Sequence, residues 1–138
     1  MGREVVVRAA TLQQTFAEAV GALLALSVNP ETVEAKEVRE VRAHGTSLEA
    51  LLAHWIGECC YVLDVEGYLC RSIDLAVFDV ERKTGAEPLR LHAFLHGEPI
   101  DPTRHEPLGA IAPLRPEDIS ITSVDGAYEI RLTIDGSA

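Results

Sequence analysis

One pattern occurs twice in the first half of the chain. Arg3-Glu4-Val5 recurs as Arg39-Glu40-Val41, and Leu12, after Thr11, recurs as Leu48, after Ser47; both spacings are 36 residues. In each copy a stretch rich in valine leads to a hydroxyl residue and then to apolar residues at helical spacing. β-branched side chains favour a pleated surface, so Arg3 to Ala9 is predicted as a strand. Thr11 with Gln14 reads as a capping box, in which the hydroxyl takes one orphan N–H and the side chain three residues on returns to another. Leu12, Phe16, Val20, Leu23 and Leu24 then trace one helical face, which should end near Asn29-Pro30 because proline disfavours a helical predecessor. In the second copy Lys36 to Ala43 alternates, with one slip between Val38 and Val41, and Thr46 with Glu49 reads as the second capping box. Leu48, Leu51, Leu52, Trp55, Ile56, Cys59, Val62 and Leu63 follow on one face, stopping before Gly67. Two copies are too few for a solenoid, so the pattern reads as a duplicated β-α unit inside one domain spanning 1–138.

The second half reads mostly as strand. Ile73, Leu75, Val77 and Val80 give one strand from about Arg71 to Glu81, and Lys83-Thr84-Gly85-Ala86 a turn. Leu89, Leu91, Ala93 and Leu95 alternate with Arg90, His92, Phe94 and His96 in the clearest period-2 run. Gly97 to Leu108, with its three prolines and four charges, reads as a loop. Ile111 to Pro116 holds two prolines and allows at most an edge strand. Asp125-Gly126 between Ile119–Val124 and Tyr128–Ile134 is a strong hairpin signal. The fold class is therefore α+β: two main helices packed on sheets rich in antiparallel pairs.

Charge narrows the function. Twelve Lys and Arg against 22 Asp and Glu leave a net charge of −10. Nucleic-acid binding is driven mainly by cationic side chains on phosphates, so neither direct nucleic-acid binding nor an anionic membrane surface is expected. A basic protein partner or a cation suits such a chain better. The longest near-apolar run, Ala17 to Val28, contains Glu18 and Gly21 and is too short to span a bilayer, which needs about 20 residues. No signal segment is read at Met1-Gly2-Arg3-Glu4, so Cys59, Cys60 and Cys70 read as reduced, buried thiols and the expected location is cytoplasmic.

No phosphate loop, dinucleotide fingerprint, nucleophile elbow or CxxC pair occurs in the sequence. His92 and His96 share one face of their strand, but a four-residue step spans about 13 Å, too far for one metal ion. His44 reads as an exposed loop residue and His54 as the polar flank of a helix. Asp135 follows the apolar strand end Leu132-Thr133-Ile134. It is either an inert exposed carboxylate or an oxygen ligand for a hard cation, which needs partners from elsewhere. Asp79 qualifies as a ligand by chemistry alone. Asp101 and His105, four apart in the proline-bounded loop, form a candidate general acid–base pair, although no nucleophile or cofactor motif accompanies them.

Several stretches in order resemble one family. They are Leu12 to Phe16, Pro30-Glu31-Thr32-Val33, Ser47 to Leu52, Trp55, Glu58, Tyr61 to Asp64 with Glu66-Gly67, and Gly97-Glu98-Pro99-Ile100-Asp101-Pro102-Thr103-Arg104-His105. In order and spacing they are similar to archease, over nearly the whole chain. The resemblance implies an archease-like fold and a non-enzymatic role: a protein cofactor of the GTP-dependent RNA-splicing ligase of the RtcB type. In that role it promotes guanylylation of the ligase and multiple turnover in tRNA splicing or RNA repair. It also implies a divalent cation (Ca, Mg or Mn) held by an N-terminal Asp-His-Thr-Ala-Asp motif and by an aspartate near the C-terminus, a position that Asp135 matches, with the Gly136 backbone beside it. The chain departs from this pattern: alignment on Thr11-Leu12 puts Gly2 or Arg3 where the motif has aspartate. The alternative is a divergent archease-like interaction protein that has lost the metal site and serves another partner.

Overall fold

The computed structural model describes residues 3–81, 88–109 and 111–134. Six strands and two helices follow in the order β1 (Arg3–Ala9), α1 (Leu12–Leu24), β2 (Glu37–Gly45), α2 (Leu48–Asp64), β3 (Tyr68–Asp79), β4 (Leu89–Pro99), β5 (Ile119–Val124) and β6 (Ala127–Ile134). They form two three-stranded sheets, ordered β1-β6-β5 and β2-β4-β3, in which every recorded pairing is antiparallel. The α+β class holds, and so does the duplicated unit: each helix packs on the strand that precedes it, α1 on β1 and α2 on β2. The two copies serve different sheets. α1 also reaches β3 and α2 reaches β5, so one apolar core joins both sheets.

The helices start where the side chains say they should. Thr11 Oγ1 accepts the Gln14 N–H at 3.1 Å, and Ser47 Oγ accepts the Ala50 N–H at 3.1 Å. The second cap is thus Ser47 and not Thr46, which stands one residue before it. α1 is shorter than the proline signal implied. It ends at Leu24, and three-residue bonds from Leu26 to Leu23 and from Ser27 to Leu24 wind the chain down. Asn29-Pro30 instead opens a separate short turn at Pro30–Thr32.

Register corrects the alternation read from β2 and β3. β2 pairs with β4 without interruption from Glu37↔Gly97 to Gly45↔Leu89. No slip occurs: Val41 is buried, and Val38 simply stands on the solvent face. β3 carries the irregularities, between Cys70 and Ser72 and between Leu75 and Val77. An extra residue in one strand flips every side chain beyond it to the other face. Leu75 therefore points inward, Val77 outward, and Phe78 inward, where its ring meets Phe16 edge-on with centroids 4.9 Å apart. Gln13 of α1 donates to the Leu75 carbonyl at the bulge, at 2.7 Å.

β3 begins at Tyr68, three residues before the expected start, because Tyr68, Leu69 and Cys70 pair with Pro99, Glu98 and Gly97. The same pairing extends β4 through Pro99, into the stretch read as loop. Ile111–Arg115 forms no strand. The hairpin at Asp125-Gly126 is a two-residue loop with both φ angles positive, 50° and 79°, which matches the twist of the flanking strands. The turn read at Lys83 to Ala86 lies outside the described residues.

Candidate functional site

Two places carry the residues singled out by sequence. The first is the end of β6. Along the β1–β6 ladder the inward side chains are Val5, Val7, Ile130 and Leu132. The outward ones include Glu4, Arg8, Glu129 and Arg131, with Arg131 2.9 Å from Glu4 and Arg8 3.4 Å from Glu129. The last described pair is Arg3↔Ile134. Asp135 and Gly136 lie outside the described residues. In the backbone register Arg3 pairs with Ile134, and Glu4 beside it is engaged by Arg131. Among the described residues no three His, Cys, Asp or Glu side chains converge as a metal site.

The second place is the segment leaving β4. Glu98 is 3% exposed although its strand position faces outward. The Glu34 N–H donates to Glu98 Oε2 at 2.6 Å, Arg104 Nη2 binds Oε1, and His105 Nε2 lies 3.2 Å from Oε2. The Glu34 amide and, against the opposing effect of desolvation, the Arg104 and His105 bonds hold the Glu98 carboxyl below the usual glutamate range. His105 is equally buried. Its Nδ1 accepts the Asp101 N–H at 2.8 Å, so the neutral ring carries its proton on Nε2, toward Glu98. Arg104 also lies 3.7 Å from Glu34 and 3.5 Å from Asp101. Residues 30–36 and 99–105 are thereby pinned over one buried carboxylate.

This arrangement corrects the acid–base reading of Asp101 and His105. The two meet through the Asp101 backbone, not through its carboxylate. That carboxylate accepts from the Thr103 amide at 3.0 Å and the Thr103 hydroxyl at 2.7 Å, bonds that hold it below the ordinary aspartate range. His105 has both ring nitrogens committed and is 3% exposed, so it is a fastening and not a proton shuttle. Glu98 is the residue the sequence reading missed. Its stretch read as loop, and the groups that bury it include Glu34, 64 residues away. Gly97 before it is closely packed: a Cβ there would stand 1.8 Å from the Leu69 carbonyl oxygen.

The histidines on the sheet behave as placed. His92 and His96 share the outer face of β4, and His92 Nε2 lies 2.9 Å from Glu40. His44 is exposed but belongs to β2, not to a loop. Its N–H donates to His54 Nδ1 at 3.0 Å, tying β2 to α2. Asp79 at the end of β3 lies 3.9 Å from Arg90. The three cysteines are buried and free, as expected. No helix of the described residues is long and apolar enough to cross a membrane.

These elements define a class first: an α+β molecule in which two helices lie on two three-stranded antiparallel sheets. The same fold occurs in the solution structure of Methanobacterium thermoautotrophicum protein 1598, at a TM-score of 0.72 and 20% identity, covering 97% of this chain and 91% of that one. The sequence narrows the class to a family. The profile of the Archease protein family (MTH1598/TM1083) matches residues 4–135. Protein archease of Pyrococcus abyssi is 32% identical over 126 residues, 91% of this chain and 85% of the relative. Protein archease of Pyrococcus furiosus is 30% identical over the same shares. The chain belongs to the archease family, a family of protein cofactors and not of enzymes.

Proposed function

We propose that this chain is a protein cofactor of an RNA ligase, and specifically an activator of the GTP-dependent splicing ligase of the RtcB type. In this reading it promotes transfer of GMP from GTP to the ligase histidine, with pyrophosphate leaving, and so lets one ligase complete many joining events. The observation that carries the reading is family membership across residues 4–135. The net charge of −10 agrees with it, since a polyanionic surface suits a basic protein better than RNA. The test is covalent labelling of a stoichiometric ligase with radiolabelled GTP after one round of ligation. Added chain should restore labelling to the level of fresh ligase. Unchanged labelling contradicts the activator role.

The reading includes Asp135, with the Gly136 backbone, as its metal-side group. It assigns them only weak affinity for Ca, Mg or Mn, because Gly2 or Arg3 stands where the resemblance puts an aspartate and ligand charge sets the affinity of such a site. A ligand at a hundredfold excess over its Kd stabilises a fold by about 2.7 kcal/mol. Millimolar Ca or Mn should therefore leave the melting temperature nearly unchanged. A rise of several degrees, lost in Asp135→Ala, would contradict the weak-site reading. The second reading, a divergent relative serving another partner, is favoured by that same departure at Gly2 or Arg3.

A further inference from the structure

We infer that the C-terminal end of α2 and the adjoining exit of β4 form the surface that docks the ligase, with Tyr61, Val65 and Ile100 as an apolar anchor set against a basic face of the enzyme. The inference rests on the proposed function and adds to it the surface through which it works.

Three large apolar side chains are exposed at one end of the molecule: Tyr61 by 54%, Val65 by 64% and Ile100 by 46%. Tyr61 and Val65 lie one turn apart on one helix face, and the Val65 N–H closes that turn on the Tyr61 carbonyl at 2.8 Å. The chain then reverses at Gly67, whose φ of 63° is left-handed. The Ile100 N–H donates to the Gly67 carbonyl at 2.7 Å, and a Cβ on Gly67 would lie 3.6 Å from Ile100 Cγ2. Val65 and Ile100 thus flank the same turn. The other exposed valines sit on sheet faces, Val6 between Glu4 and Arg8 on β1, Val38 on β2 and Val77 on β3, and Leu108 is exposed in the segment after His105. Single exposed apolar residues are ordinary, whereas an aromatic with aliphatic neighbours inside a polar rim is the usual anatomy of a protein interface.

The rim states the partner's charge. Glu58, Asp64, Glu66 and Asp101 belong to the same helix end, turn and strand exit. The two guanidiniums beside them are occupied within the molecule. Arg39 Nε lies 3.2 Å from Glu66 and its Nη1 3.0 Å from Glu37, while the group rests 4.6 Å from the Tyr68 ring centre. Arg104 is bound to Glu98 and lies near Glu34 and Asp101. The rim therefore presents net negative charge. An enzyme that holds RNA must carry exposed Lys and Arg, which makes it complementary. The Glu98 fastening beneath Ile100 holds the surface in shape before binding, so little order has to be gained on docking.

The test measures binding of the full chain to the ligase of the same source, alongside stimulation of ligation. Val65→Asp and Ile100→Asp should each weaken binding about tenfold or more. Tyr61→Ser, which adds no charge, should act in the same direction. Asp64→Lys should chiefly slow association, with a reduced dependence on salt. Val77→Asp, on the outer face of β3, should bind as the wild type does. Melting temperatures of these exposed-site variants should stay near the wild-type value. If wild type binds and stimulates while all three anchor variants keep full affinity, the surface is wrong and the activator role stands. If the wild type does not bind the ligase, both fall.

Discussion

At the scale of single residues, the molecule's most consequential choice is to bury a carboxylate at Glu98 and give it three donors. Its folded pKa lies below the unfolded one, so the stability it contributes is complete above the ordinary glutamate range and is lost as pH falls through the lower folded value. Acid titration of the melting temperature should show that loss, and Glu98→Gln should flatten the acid limb while lowering stability at neutral pH. His105→Ala leaves the Asp101 amide without its acceptor and takes one of three donors from Glu98, and should cost about 1–3 kcal/mol by denaturant titration. The thiols make the opposite statement. Burial pushes Cys60 to about 11 and Cys70 to about 12, and it raises Cys59 well above the usual thiol value. All three should resist a thiol reagent at neutral pH until the chain unfolds; rapid labelling of the native protein would contradict that burial. Cysteine burial was legible in the sequence because Cys59 lies on an apolar helix face. Glu98 was not, because its stretch read as loop and the groups that cover it come from distant segments of the chain.

At the scale of elements, local chemistry was read best where it acts locally. The strand at Arg3–Ala9, the start of α1 with Thr11 as its cap, and the Asp125-Gly126 hairpin all follow from neighbours within four residues. The errors came where distant pairing decides. Tyr68 to Cys70 are strand because Gly97 to Pro99 lie beside them, and Val77 points outward because of a bulge that no apolar count reveals. That closeness of β3 and β4 gives a sharp prediction. Gly97→Ala would drive a Cβ against the Leu69 carbonyl, a rigid backbone atom, and should destabilise by about 3 kcal/mol by thermal or denaturant unfolding. Gly126→Ala, at a positive φ but in open space, should cost about 1 kcal/mol. Near-equal losses would mean that strand packing at Gly97 is looser than the register implies.

At the scale of the whole molecule, duplication of a strand–helix unit supplies two helices that fasten two small sheets into one core. The acidic surface leaves that frame suited to a basic protein partner. The fold class and the family were both legible in the sequence, the first from periodicity and caps and the second from the order of short matches from Leu12 to His105. Of the candidate site residues, Asp135 and Gly136 lie outside the described residues, and Asp101 and His105 meet through the Asp101 amide. The central claim is that this frame activates a ligase although Gly2 or Arg3 stands where the resemblance puts an aspartate. The measurement that tests it most directly is RNA joining by limiting ligase of the same source, counted as products per enzyme, with and without the chain. The account predicts a rise from about one product per ligase to many, reduced by Asp135→Ala. Joining that stays at one turnover with the well-folded chain present in excess would contradict it.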